Sequence, residues 1–447
     1  MKDLRMIKEY VYRIINFFIG RIYRIYLYYI SENYRLGRLH SKNKPKLFFG
    51  TSAIINNKYW SNALRENGYE SQTVMSGFMS INKKNDFDLY FDEIIKQSTF
   101  KLKYFCKEYV IFSFILQNFD IVHIPFDGLL FYDKWIKKNE INLLKKFGCK
   151  IIVLPYGGDF YQYSKIHNLS WRHVLQVNYP NGSHIESNIL ENIKRLNLNA
   201  DIIISGYQTD GSGRWSAFPY SSLGIDMQSF SFNENKYNQK DGIKEEVTVV
   251  HSPNHRYIKG TEYLLDAVNK LKAEGILIRL ILIEKKPNEE VLAILENHAD
   301  ILVEQLVTGY ALSAIEGMAF GLPVLSNLSD ENQTRAFRRY SYLNECPILT
   351  TRPENIKENL RLLVLNPDLR KLLGMASRKY VEKYHSNKTI QYLFGKVYEK
   401  IWYGKEVDLM NMFHPLNPDS YNNQSPKIEH PLFENKIPEA LLNTLNK

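Results

Sequence analysis

Cysteine is scarce in this chain of 447 residues: Cys106, Cys149 and Cys346 lie far apart, with no CxxC pair and no metal-ligand spacing. That excludes a disulfide framework and suits a reducing compartment, so a cytoplasmic protein is expected. Long apolar runs are lacking as well. No stretch approaches the about eighteen consecutive apolar residues that a membrane span requires, and no apolar segment with a small-residue cleavage site follows the basic N-terminus. No internal repeat of solenoid period appears. Acidic residues fall short of basic ones, 48 against 58, for a net charge of +10. Anionic partners are therefore favoured: nucleic acid, acidic lipid headgroups or a nucleotide diphosphate. The chain lacks a nucleic-acid recognition motif and concentrates its basic surplus at the N-terminus, so nucleic acid is not expected.

What is present fits a globular protein, with 44% hydrophobic and 24% charged residues. The length is too great for one ordinary core and suits two domains with extensions. Residues 1–44 stand apart, carrying ten Lys and Arg against Asp3, Glu9 and Glu32. Leu4, Ile7, Val11, Ile14, Phe18, Ile22, Ile25 and Tyr29 recur at steps of three and four, the spacing of one helix face. A basic amphipathic helix is predicted. Two placements are open to it: flat on an anionic membrane surface through residues 1–30, or packed on the body of the protein.

From residue 45 strands alternate with helices, the pattern of a parallel sheet covered on both faces. Buried strands are predicted at 47–49, 71–75, 121–124, 150–154 and 201–205, with a helix at 57–67 ended by Gly68. Residues 231–245 are polar and aperiodic and read as a linker. The pattern then restarts, with strands at 247–251, 278–283, 301–303 and 323–325 and helices at 261–273, 288–298 and 312–320. The expected organisation is a helical extension (1–44), an N-terminal domain (45–230), the linker, a C-terminal domain (246–404) and a polar tail (405–447) looping over the surface or partly disordered.

Two stretches carry chemistry. In 299–327 (ADILVEQLVTGYALSAIEGMAFGLPVLSN) a strand ends near Val303, a loop carries Gly309, and a helix carries Glu316. Ligands of open α/β sheets bind beyond the carboxyl ends of the strands. The helix start can hold an anion or sugar hydroxyls, and the Glu316 carboxylate can accept both vicinal hydroxyls of a ribose. In 251–271 (HSPNHRYIKGTEYLLDAVNKL) Arg256 and Lys259 precede the helix beginning at Gly260. Two cations beside a helix N-terminus make a pyrophosphate clamp. Asp86-Phe87-Asp88 spells a DxD, a three-residue pattern that chance supplies often, and it is set aside as a metal site.

Gly309-Tyr310-Ala311 followed by Glu316-Gly317-Met318-Ala319-Phe320-Gly321-Leu322-Pro323-Val324 resembles the signature of the group-1 retaining GT-B glycosyltransferases. Arg256 to Gly260 is similar to that family's diphosphate element. The resemblance implies two Rossmann-like doubly wound domains facing a cleft. It implies a nucleotide-diphosphate-sugar donor, transfer with retention to a glycan or lipid-linked acceptor in surface-polysaccharide synthesis, and no metal cofactor. It gives Glu316 the donor ribose and Arg256 and Lys259 the diphosphate, and assigns Thr308, Gly309, Tyr310 and Ala311 to the donor loop. Gly50 and Thr51 resemble the family loop near the donor phosphate. Asp120 to His123 resembles its Asp-x-x-His strand, which makes His123 and the following Asp127 catalytic candidates, with Asp159 a further one; His123 can also be a core histidine. Pro219 to Asp226 resembles the segment before the linker. The chain departs from the family at Thr308, where a glutamate that touches the donor sugar is usual and the nearest carboxylate is Glu304. Ala311 and Pro125 depart as well. A catalytically silent nucleotide-sugar-binding subunit and a GT-B sugar-nucleotide epimerase are the alternatives.

Overall fold

The computed structural model describes residues 2–41, 43–78, 82–207, 209–234, 237 and 240–445, with the backbone alone for 2–16 and 210. The side chains of Leu4, Ile7, Val11 and Ile14, and linker residues 235, 236, 238 and 239, lie outside that description.

Short apolar runs bounded by Gly and Pro form two parallel sheets, as expected of strands buried on both faces. The first contains β1 (Leu47–Thr51), β2 (Ser71–Met75), β3 (Leu89–Tyr90), β4 (Ile121–Ile124), β5 (Lys150–Val153) and β6 (Ile202–Ile203), in the order β3-β2-β1-β4-β5-β6. The second contains β7 (Val247–His251), β8 (Ile278–Leu282), β9 (Ile301–Val303), β10 (Val324–Ser326) and β11 (Leu349–Thr350), in the order β11-β10-β9-β7-β8. Every pairing within the two sheets is parallel. Strands β1 and β7 are buried at every position. In the second sheet Val247, Val249, Ile301, Val303 and Leu325 pack against Leu264, Leu271, Leu360 and Leu373 of the covering helices.

The chain divides into two compact units, one of residues 1–159, 191–204 and 396–407, the other of 160–190, 205–395 and 408–447. A single break at 231–245 is thus corrected. Residues 160–190 and 205–230 belong with the second sheet, and the helix Asn387–Ile401 ends in the first unit. These exchanges depend on tertiary contacts that local composition does not carry. Of the two readings of residues 405–447, the partly disordered one is corrected too. Leu409, Met412, Phe413, Ile428 and Leu432 are buried, and Asn435 donates to the carbonyls of Cys346 and Ile348 at 2.8 and 3.2 Å. Those apolar anchors are isolated and aperiodic, so the Asn- and Pro-rich composition hid them.

The N-terminal helix spans Lys2–Leu39. Leu27 and Ser31 are buried, and Arg24 donates to the Tyr109 hydroxyl at 2.8 Å and sits 4.5 Å from the Trp135 ring. Arg38 is buried as well, with donors to Asp120 at 2.8 Å and to the carbonyls of Leu116, Phe119 and Phe147 at 2.9, 2.7 and 2.7 Å. This charge is satisfied by four acceptors, the condition under which an arginine is buried without a large penalty.

Candidate functional site

In the second unit the strand order reverses between β7 and β9, the place where open α/β sheets leave a crevice for ligands. Both sequence-predicted elements meet there. After β7 the chain forms one helical turn, Arg256–Lys259, then Gly260 at φ 74° and the helix Thr261–Ala273. Gly260 is required twice over, by its left-handed backbone and because a β-carbon would sit 2.9 Å from Leu306 Cβ. His251, which ends β7, is buried and spans the gap to β9, with Nδ1 against the Val303 carbonyl at 2.7 Å and Nε2 against the Thr261 hydroxyl at 2.9 Å. Burial lowers its pKa to about 4, so it stands there neutral.

Lys259 turns inward. Its ammonium is ion-paired with Glu304, the residue that follows β9, and donates to Gln305 Oε1 at 3.1 Å. Glu304 also accepts from Ser313 Oγ at 3.0 Å and Ser326 Oγ at 3.2 Å. The Lys259–Glu304 pair therefore ties the β7 loop to the helix Leu312–Ala319. An ammonium carries three donors; among the described residues Glu304 and Gln305 take two of them. Arg256 is placed differently. It is half-exposed and paired with Glu262 at 2.7 Å and Glu284 at 2.8 Å. The structure thus brings the two clamp cations to one strand end, each already facing carboxylates that the sequence reading had not connected to them.

Glu316 lies on the helix Leu312–Ala319, buried, one turn from Ser313. Burial pushes its pKa up to about 7, opposed among the described residues by Asn288, which donates to Oε1 at 3.2 Å. A carboxyl this poorly compensated gains when hydroxyl donors arrive. Asn288 carries no sequence signal beyond its place after β8.

The loop before this helix splits by role. Gly309 has φ 68°, and its amide donates to the Asn327 carbonyl at 2.7 Å; a β-carbon there would meet the Tyr207 ring at 2.3 Å. The Thr308 hydroxyl is buried against the Tyr207 hydroxyl. Tyr310 is buried, with its hydroxyl 2.9 Å from both Tyr380 Oη and His385 Nε2 and its ring stacked on Tyr220. The assignment of the Thr308 and Tyr310 side chains to the donor is corrected accordingly, because both are spent on internal contacts that shape the turn. What remains open is the helix start. Ala311 is its N-cap, no side chain caps it, and Ala311, Leu312 and Ser313 are partly exposed.

In the first unit Gly50, Ser52, His123, Pro125 and Tyr156 line a small pocket of about 20 Å³ at the carboxyl ends of β1, β4 and β5, room for roughly one water. Thr51 is buried, and its carbonyl accepts from Ser76 N at 3.0 Å. The catalytic reading of His123 is corrected. Its Nδ1 meets the Phe48 carbonyl at 2.9 Å, its Nε2 the Tyr398 hydroxyl at 3.0 Å, and its ring stacks on Phe49 at 4.0 Å. Burial drops its pKa to about 3, so it is a neutral core histidine. Asp127 accepts from the Tyr156 hydroxyl at 2.8 Å at the surface. The buried Asp159 accepts the amides of Phe126, Tyr156 and Gly157, each at 2.9 Å, and so holds the loops after β4 and β5 together. Its pKa is pushed up to about 7 by burial that those amides only partly offset. Asp86 pairs with Lys58 at 2.7 Å, and Asp88 pairs with Arg65 and accepts from Thr73 N at 2.8 Å.

No model of a known family matches the sequence, and no curated protein matches it. Solved structures do. A sucrose-phosphate synthase from Thermosynechococcus elongatus is similar over 81% of this chain and 100% of its own, with 13% identity and a TM-score of 0.52. The fold is GT-B. An alpha-glucosyltransferase solved with UDP and a mismatched DNA covers 80% of this chain and 100% of its own, with 12% identity and a TM-score of 0.48. The wall teichoic acid polymerase TagF covers 90% and 99%, with 12% identity and a TM-score of 0.38. At such identities the likeness concerns architecture; the chemistry of the GT-B chain has to be argued from its own residues.

Proposed function

We propose that this chain is a glycosyltransferase that takes a sugar from a nucleotide-diphosphate-sugar donor held by its C-terminal unit. The observation that carries the reading is Lys259, fixed by Glu304 and Gln305 at the β7/β9 strand ends. Beside it is the uncapped helix start at Ala311–Ser313. An ammonium and oriented amides at that point oppose the charge that grows on the departing diphosphate as the glycosidic bond breaks. Glu316 accepts the ribose hydroxyls, replacing the weak Asn288 contact with stronger ones. Arg256 joins the diphosphate by exchanging one of its carboxylate partners for phosphate. No metal is required by this arrangement.

The GT-B likeness to a sucrose-phosphate synthase supports glycosyl transfer. Retention of configuration, a glycan or lipid-linked acceptor, a cytoplasmic setting and a role in surface-polysaccharide synthesis follow from the resemblance of 309–324 to the group-1 family. A second reading is nucleotide-sugar binding without turnover, favoured by the two carboxylates that occupy Arg256. Release of nucleoside diphosphate from a panel of UDP-, GDP-, ADP- and CDP-sugars, with and without mixed glycan acceptors, separates the two. Turnover supports transfer; tight binding with no release from any donor supports the silent reading.

A further inference from the structure

The N-terminal helix keeps one face on the body of the first unit and turns an apolar line away from it. Arg24, Leu27, Ser31 and Arg38 face inward, at helical spacing. Phe18, Ile22, Ile25 and Tyr29 recur at steps of four, three and four, so they lie in one row. They are 59, 66, 72 and 81% exposed. A surface helix ordinarily buries its apolar row and exposes its charges; here two arginines are drawn inward and Ile22 and Ile25 are left out. A second exposed segment lies beside the same helix. Tyr23 meets the Phe100 ring edge-on at 5.4 Å, and Phe100, Leu102 and Tyr104, interleaved with Lys101 and Lys103, are also exposed. Two separate elements therefore present aromatic and aliphatic groups on one part of the first unit, which marks a contact surface and not scattered exposure.

We infer that this surface, the helix row together with 100–104, docks on an anionic lipid bilayer. Charge selects the occupant. Residues 1–44 hold ten Lys and Arg against three acidic residues; with the inward Arg24 and Arg38 set aside eight cations remain, so a second copy on the same face would bring two cationic segments together. An anionic leaflet neutralises them. Tyr26, Tyr28 and Arg21 flank the row, the amphipathic types that sit at the headgroup level. No described helix is long and apolar enough to cross a membrane, so the helix lies along the surface. The inference uses only the first unit and does not rest on the glycosyl-transfer reading.

The test is co-sedimentation of the full chain with vesicles of phosphatidylcholine alone or with about one-third phosphatidylglycerol. Wild type is expected to bind the anionic vesicles, with affinity falling at least tenfold as salt rises from low to about 0.5 M. The double variant Ile22→Ser/Ile25→Ser removes exposed groups, so its melting temperature should match wild type while vesicle affinity drops at least tenfold. Leu416→Ser changes an equally exposed leucine elsewhere, at 84%, and should leave binding unchanged. The inference is overturned if wild type ignores anionic vesicles at low salt, or if the double variant binds as wild type does. Equal loss in Leu416→Ser also overturns it, as does a wild-type dimer in light scattering that the double variant dissociates.

Discussion

Removing the Glu304 carboxylate should unbalance the C-terminal unit far more than the loss of a surface ion pair. The Lys259 and Glu304 side chains are 8% and 1% exposed, so solvent cannot take over either charge. Without Glu304 the Lys259 ammonium keeps only the Gln305 amide oxygen, at 3.1 Å. Stranding one partner of a buried pair costs about 3–5 kcal/mol, and Glu304→Ala belongs at the upper end. Lys259→Met leaves Glu304 with the Ser313 and Ser326 hydroxyls, so about 3 kcal/mol is expected. The double variant Lys259→Met/Glu304→Leu removes both charges, and apolar replacements of buried pairs are often near neutral. Its stability should recover to within about 2 kcal/mol of wild type, although donor binding stays lost. For a unit of this size each kcal/mol moves the melting temperature by roughly 2–4 °C, so the single variants should melt roughly 6–20 °C lower. Thermal melts of the four proteins complete the cycle. Single losses below about 1 kcal/mol, or losses that simply add in the double variant, would refute the buried-pair reasoning.

Glu316 makes a linked prediction about pH. Its pKa is raised from 4.5 to about 7 by burial, so the folded state holds a proton that the unfolded state releases. Unliganded stability from this group is therefore lost as pH rises from about 4.5 to 7, by roughly 3 kcal/mol in total. Glu316→Gln should stabilise the apo protein at pH 8 by up to that amount in thermal melts. In calorimetry it should weaken donor binding by about 1–3 kcal/mol and abolish the rise in affinity expected for wild type between pH 6 and 8. His123→Ala removes the hydrogen bonds to the Phe48 carbonyl and the Tyr398 hydroxyl and should lower stability by about 1–3 kcal/mol. Activity per folded molecule should then be retained, as turnover corrected for folded fraction will show. Arg256→Ala breaks exposed, solvent-screened pairs; melting should barely change while kcat/KM falls at least tenfold, and chelator should not alter wild-type turnover.

The strands were legible where short clusters of apolar residues alternate with helical stretches, as at Leu47–Thr51, Val247–His251 and Ile301–Val303. The two-residue edge strands Leu89–Tyr90 and Leu349–Thr350 have no periodicity to read and exist through pairing with their neighbours. Lys259 and Glu316 could be singled out from sequence because a cation before a helix and a glutamate within one follow strand ends. The pairing of Lys259 with Glu304 spans 45 positions and leaves no local trace, so Glu304 read only as a carboxylate near a missing one. His123 and Tyr310 carry polar atoms that sequence reading assigns to chemistry; their partners in the core, Tyr398 and His385, arrive from far along the chain. The N-terminal helix posed packing and membrane contact as rivals. Its inward Arg24 and Arg38 show that one face packs on the first unit, while Ile22 and Ile25 on the other face are exposed, so packing alone does not account for the whole apolar row.

Hydrogen exchange on the full chain, with and without a saturating nucleotide-diphosphate sugar chosen from the donor panel, shows directly whether the C-terminal unit holds the donor. A donor held at the β7/β9 strand ends should slow exchange in peptides covering 256–264 and 309–319, where helix starts lack side-chain caps. The same peptides should be unprotected in Lys259→Met/Glu304→Leu. Donor binding that leaves both peptides unprotected, or protects them equally in that variant, would contradict the site.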